Sequence, residues 1–233
     1  MTNATTPIIA VLGAGHVGPA IARLALKAGH RVTIATSGTP ADLALITTLL
    51  IPGAEPRWAV DAIADADIVV LAMPLHRFLA MDPSALSGKL VIDAMNYWPP
   101  SDGTLPPPFD DEDIGTSEMV AERLHNAAVV KTLNHVGYHE LETSARPSGS
   151  ADRRALGVAG DDPDAVSTVS AFVDRIGYDP VLLGSLSAGR ILQPGGPVFG
   201  AVIRREDFQR AVHGIDQEQR ALRLAELHYG QSA

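Results

Sequence analysis

The 233-residue chain contains no cysteine. Disulfides, thiolate metal sites and thiol nucleophiles are therefore excluded, and a reducing compartment is allowed. Basic residues are scarce: 18 Lys and Arg stand against 27 Asp and Glu, a formal net charge of −9, with no basic stripe. A surface that tracks nucleic-acid phosphates needs such a stripe, so no DNA or RNA partner is expected. Long apolar runs are missing too, and none approaches the ~20 residues of a membrane helix. The first seven residues are short, polar and free of Lys and Arg, which does not suit a signal peptide. The expectation is a cytoplasmic protein without a membrane partner. Against these absences, 46% apolar and 19% charged residues give a globular balance able to fold on its own core.

The apolar run Ile8 to Leu12 suits a strand buried on both faces of a parallel sheet. It leads into a glycine turn, after which Val17, Ile21, Leu24 and Ala28 recur at helical spacing and Gly29 stops the helix. Arg31 to Ala35 reads as a second strand, and Thr39-Pro40 opens a helix to about Leu50. A short strand is expected near Trp58 to Val60, a helical turn over Asp61 to Ala66, and strands at Ile68 to Met73 and Leu90 to Asp93. The proline-rich stretch Tyr97 to Thr116 is too long for an ordinary connection and reads as a functional loop or an insertion. A helix restarts near Ser117, Ala128 to Leu133 is the last strand of this lobe, and Asn134 to Ser150 is read as irregular and polar.

Beyond that stretch come a strand at Leu156 to Ala159, a helix at Asp164 to Ile176, a strand at Pro180 to Leu183 and a final helix at Arg205 to Tyr229. The fold expectation is α/β, a Rossmann-type doubly wound parallel sheet with a smaller C-terminal α/β lobe. The domains are placed at 1–134 and 135–233, the second completing an acceptor cleft and a possible dimer interface.

Gly13-x-Gly15-x-x-Gly18 is generic alone, but here an apolar strand precedes it and a periodic helix comes after it. In that context Gly13 permits a tight turn, Gly15 lets a pyrophosphate approach the backbone, and Gly18 lets helix and strand pack closely. His16 and Val17 open the helix, whose free N–H groups face an anion whatever the side chains. An NAD site usually carries Asp or Glu about 20 residues past the glycines, on the ribose hydroxyls. Here Ala35-Thr36-Ser37-Gly38 stands there instead. A carboxylate would repel a 2′-phosphate and hydroxyls can donate to one, so Thr36 and Ser37 tilt the cofactor to NADP(H). The alternative is that both are ordinary loop residues.

The chain resembles the NADP oxidoreductases that depend on the 8-hydroxy-5-deazaflavin coenzyme F-420. The resemblance spans nearly the whole chain. It rests on the glycine turn, Leu71-Ala72-Met73-Pro74, the run Val91 to Asn96, Val130-Lys131-Thr132-Leu133-Asn134, Ala159-Gly160-Asp161-Asp162, and Gly184 to Pro197. It implies hydride transfer between NADP(H) and coenzyme F-420 as substrate, in a homodimer. By position, Ala72, Met73 and Pro74 would run beside the nicotinamide ribose, Asn134 and Val136 would border the ring, and Asn96 would join the cofactor site. Such chemistry needs donor and acceptor carbons held together rather than a nucleophile, so no catalytic side chain is expected. The chain departs from the family at Gly38, where a basic residue is common, and in the length of the loop after Tyr97. Reduction of a flavin, imine or carbonyl, or a non-catalytic NADP(H)-binding redox sensor, are the alternatives.

His135 and His139, with Glu140 and Glu142, set imidazoles four apart, which on a helix would share a face. The pattern is not H-E-x-x-H, and no metal is expected. Tyr97 and Trp98 offer a face to a flat acceptor, or only loop packing. The acid run Asp110 to Asp113 reads as a solvated loop, Arg190, Arg204 and Arg205 as surface cations or contacts to an anionic tail, and Leu222, Leu224, Ala225 and Leu227 as a packing face.

Overall fold

The alternation of short branched apolar runs with amphipathic stretches produces a sheet with helices on both faces. The computed structural model describes residues 6–107 and 114–215. Strand β1 (Ile8–Leu12) sends Ile9 and Val11 to one face and Ala10 and Leu12 to the other, and all four are buried. Helix α1 (Val17–Lys27) covers the first face with Ala20, Ile21, Leu24 and Ala25. Strand β2 (Arg31–Ala35) pairs in parallel with β1, and α2 (Pro40–Leu50) starts from a capping box in which Thr39 and Asp42 exchange hydrogen bonds.

Strands β4 (Ile68–Leu71), β5 (Leu90–Asp93) and β6 (Ala128–Lys131) continue the parallel sheet on the other side of β1. Their second face is covered by α3 (Ala59–Asp65), α4 (Leu75–Leu79) and α6 (Thr116–Arg123), through Ile63, Phe78, Met119 and Val120. Strand β7 (Ala155–Gly160) joins β6 antiparallel, and β8 (Asp179–Gly184) pairs with β7 in parallel. With the edge strand β3 (Glu55–Pro56) beside β2, the eight-stranded order is β3-β2-β1-β4-β5-β6-β7-β8. The strand order reverses at β1, and in open α/β sheets ligands bind in the crevice at the carboxyl ends of strands there.

Five local expectations are corrected. The third strand is β3 (Glu55–Pro56), not Trp58 to Val60; Trp58 instead precedes α3. It matches only Thr33 and Ile34 of β2, an edge pairing too short to impose a period. The strand at Ile68 stops at Leu71 and the strand at Ala128 at Lys131, two residues early in each case. The Tyr97 stretch contains a short helix α5 (Pro99–Asp102). The segment read as irregular after Asn134 contains α7 (Tyr138–Thr143), whose single buried side chain is Leu141. Its anchor is long-range: Glu142 receives two hydrogen bonds, at 2.5 and 2.6 Å, from Arg23 of α1. Residues 205–215 are helical; the rest of the expected final helix and the acid run lie outside the described residues.

Helix α8 (Pro163–Arg175) is the best-specified element of the second half. Asp162 caps it by accepting from the N–H groups of Asp164 and Ala165, both at 2.9 Å, and Pro163 sits at its first position. Ala165, Val169, Phe172 and Val173 form its buried stripe. Truncating Phe172 to Ala should lower the unfolding free energy by about 3–5 kcal/mol, read as a reduced urea midpoint with unchanged slope.

His135 is buried, with neither ring nitrogen hydrogen-bonded to the described residues and its ring edge-on to Phe208 at 5.7 Å. Burial, and then the charge of Lys131, lower its pKa from 6.5 to about 3. The folded protein therefore holds it neutral while the unfolded chain takes up a proton below pH 6.5, so stability falls as pH drops from 6.5 toward 3. Across that window a His135→Gln variant should lose about 1.4 kcal/mol less stability per pH unit than the wild type. Parallel slopes in urea melts at a series of pH values would contradict this.

Candidate functional site

The turn after β1 is shaped by two contacts that no side chain could survive. Gly13 has φ +125° and its N–H donates to Ala35 O at 2.9 Å, and a Cβ there would lie 2.2 Å from Ala72 O. A Cβ on Gly18 would lie 2.0 Å from Gly13 O. Around Gly15, by contrast, nothing lies within 4 Å of the Cβ position, so the backbone faces open space. Two glycines close the turn and the third leaves room. His16 precedes α1 without capping it, which leaves the first-turn N–H groups to an outside acceptor. Its ring stacks on Tyr138 instead, with centroids 4.7 Å apart and 13° between planes.

A cleft of about 420 Å³ runs from this turn along the carboxyl ends of β1, β2 and β4. It brings together Gly13, Gly15, Thr36, Ser37, Ala72, Met73 and Pro74. Ala59 of α3 and Arg77, Ala80 and Met81 at and beyond α4 complete its wall, and sequence reading did not single these out. The signal for Arg77 is its place in the first turn of α4, three residues past Pro74, but β4 and β2 meet across β1 in space and not in sequence. The Thr36 hydroxyl accepts from Gly38 N at 3.2 Å. The nearest carboxylate to that turn, Asp42, is held by its own helix and accepts from Thr39 N at 2.7 Å and from the Thr39 hydroxyl at 2.9 Å. Those bonds hold its carboxyl below the usual range.

Asn96, Asn134 and Val136 do not line this cleft; they come after β5 and β6 along the same sheet edge. Asn96 Nδ2 donates to Asn134 O at 2.7 Å, and Asn134 Nδ2 donates to Asn96 Oδ1 at 2.9 Å and Leu192 O at 2.6 Å. Asn134 Oδ1 is buried and meets no described donor, on a residue only 5% exposed. Leu133, just before it, has φ 67°, a left-handed conformation that a branched side chain adopts only under constraint. The loop after β6 thus combines a left-handed residue with an amide oxygen that meets no donor among the described residues.

Beneath that wall lies a buried charge network that sequence reading missed. Lys131 is fully buried; its Nζ donates to Asp93 Oδ2 at 3.2 Å and to Met95 O at 2.6 Å. The Ser117 hydroxyl donates to the same carboxylate oxygen at 2.6 Å, and Met95 N donates to Asp93 Oδ1 at 2.9 Å. Burial pushes the Lys131 amine down while Asp93 opposes it, and the net direction is down. The network ties the ends of β5 and β6 together and so fixes the loops that carry Asn96 and Asn134. A lysine inside an otherwise apolar strand was the available signal, but its partner lies 38 residues away.

The loop after β5 is fastened to α4. Asp102 accepts from Trp98 N at 2.8 Å, His76 N at 3.1 Å and His76 Nδ1 at 3.0 Å. Burial raises its carboxyl pKa, but these bonds outweigh that and hold it below the usual range. Trp98 is left half-exposed beside it. His135 is buried under β6 while His139 is exposed on α7, so the two do not form a paired metal face. Among the described residues no group of three or more His, Asp or Glu is placed to hold a metal.

Comparison with known proteins agrees with this geometry. The chain is 22% identical over 190 residues to metalloreductase STEAP3 of Rattus norvegicus, covering 79% of this chain and 35% of that protein. The chain thus spans little more than a third of the length of the curated relatives it matches. A hypothetical protein from Sinorhizobium meliloti superimposes with a TM-score of 0.72 at 26% identity, over 88% of this chain and 98% of that one. A candidate F420-dependent NADP-reductase from Arthrobacter sp. FB24 does so with a TM-score of 0.61 at 28% identity, over 78% and 86% respectively. Residues 8–97, which carry β1 to β5 and the whole cleft, match the family described as NADP oxidoreductase, coenzyme F420-dependent.

Proposed function

We propose that the protein is an oxidoreductase that passes a hydride between NADP(H) and coenzyme F-420. The observation that carries the reading is the cleft itself, which joins the open backbone at Gly15 to the hydroxyls of Thr36 and Ser37 with no carboxylate in its wall. In this reading the N–H groups at Gly15, His16 and Val17 receive the pyrophosphate and Gly13 and Gly18 keep the turn closed. Thr36 and Ser37 face the 2′-phosphate, and Ala72, Met73 and Pro74 flank the nicotinamide ribose. Asn96, Asn134 and Val136 border the ring, the free Asn134 Oδ1 supplying an acceptor for an amide N–H.

When bound, the nicotinamide supplies or receives the hydride. The chain's own task is positional: reacting carbons must be held at roughly 3–3.5 Å with water excluded. The Lys131–Asp93 pair serves that task by fixing two wall loops. No side-chain nucleophile is needed, and none is assigned. The same reading takes the enzyme to be a cytoplasmic homodimer, and light scattering at twice the chain mass is its expected signature in solution.

A second reading is favoured by one observation. His76 Nδ1 is held by the Asp102 carboxylate, which leaves Nε2 as the nitrogen through which the imidazolium form would deliver a proton. Reduction of an imine or carbonyl needs such a donor.

Purified protein mixed with NADPH and the oxidised deazaflavin should bleach the visible band of the latter with matched loss of NADPH. NADPH consumed only with imines or carbonyls would favour the second reading. Tight nucleotide binding without turnover of any acceptor would leave a redox sensor and contradict both.

A further inference from the structure

The cleft wall contains one charged side chain. Of the residues that line it from Leu12 to Met81, only Arg77 carries a charge. The strand order explains how it arrives there: β2 and β4 flank β1, so the segment after β4 faces the Thr36–Ser37 turn across a single strand. Adjacent strands lie about 4.8 Å apart, so the ends of β2 and β4 are separated by about 9.6 Å, and Arg77 lines the same cleft as Thr36 and Ser37 across that distance. The Arg77 main chain is fixed, its N–H donating to Pro74 O at 2.9 Å. Its side chain is exposed and its guanidinium makes no hydrogen bond or ion pair with the described residues. Arg23, Arg146 and Arg153, by contrast, are each fastened to a carboxylate.

We infer that Arg77 is the specificity residue of the nucleotide site, its guanidinium pairing with the 2′-phosphate that Thr36 and Ser37 face. The inference rests on the NADP(H) reading and adds the positive charge that the Thr36–Gly38 turn lacks. A dianionic phosphate beside two hydroxyls alone would be weakly held, and Asp42 adds a negative charge behind Gly38, where a Cβ would lie 2.9 Å from its Oδ2. A planar guanidinium offers two parallel N–H donors to phosphate oxygens, which a lysine cannot. A competing use of the same side chain is stacking on the adenine, which would serve phosphorylated and unphosphorylated nucleotides alike.

Four ligands separate these uses: NADPH, NADH, 2′,5′-ADP and 5′-AMP, titrated calorimetrically against wild type, Arg77→Ala and Arg77→Lys. The wild type should prefer each 2′-phosphorylated ligand over its partner. Arg77→Ala should weaken NADPH and 2′,5′-ADP by about 10- to 100-fold while NADH and 5′-AMP change by less than about twofold. Arg77→Lys should recover part of the loss. Equal weakening of all four ligands would assign Arg77 to the adenine and overturn the inference. A wild type that prefers NADPH and an Arg77→Ala variant that keeps the whole preference would overturn it while leaving the NADP(H) reading intact. A wild type with no preference for the phosphorylated ligands would overturn both.

Discussion

The close passage of the segment after β4 over Gly13 is the constraint on which the site depends. With Ala72 O only 2.2 Å from where a Cβ would stand, the turn after β1 and the turn after β4 are packed backbone to backbone. That contact sets one end of the cleft and the angle at which α4 leaves the sheet. Gly18 repeats the device one helical turn later, pressing the start of α1 onto Gly13 O. Between them Gly15 is left open, so tightness on two sides creates the space on the third. A substitution at Gly13 or Gly18 would force the two turns apart and change the cleft before it touched any ligand.

A second constraint holds the far end of the same sheet edge. The strained Leu133 and the unpaired Asn134 oxygen would relax if the ends of β5 and β6 were free to separate. Lys131, buried between Asp93 and Met95 O, prevents that. A buried ion pair is weak evidence for stability, but losing one partner leaves a charge without water or counter-charge. Its better-attested use is to fix one arrangement, and here that arrangement presents Asn96 and Asn134 together. Stability and site geometry are coupled through a pair that no ligand need touch.

Much of the nucleotide end was legible in sequence because its signals are local. An apolar strand, three glycines at fixed spacing and a helix with 3.6-residue periodicity lie within twenty residues, and β1 and α1 fall where that pattern puts them. The features that escaped reading depend on neighbours distant in sequence. The edge strand β3 is too short for a period, and α7 is six polar-rich residues anchored by Arg23 from 119 positions away. The antiparallel join of β7 to β6 has no local signature. Arg77 lines the same cleft as Thr36 and Ser37 only because strand order folds the chain back on β1. Lys131 is visible as an anomaly in an apolar run, but only the fold names Asp93 as its partner.

The central claim is that NADP lies along the carboxyl ends of the strands, its phosphates and adenosine in the cleft at the switch point of the sheet and its nicotinamide beyond that cleft, toward β5 and β6. A crystal structure of the protein grown with NADP⁺ tests it most directly. The pyrophosphate is expected within hydrogen-bonding distance of the N–H groups at Gly15, His16 and Val17, and the 2′-phosphate against Thr36 and Ser37. The nicotinamide should reach the Asn96–Asn134 pair. Nucleotide density with the phosphates away from the Gly13–Gly18 turn, or with the adenosine end outside the Thr36–Ser37 side of the cleft, would contradict it.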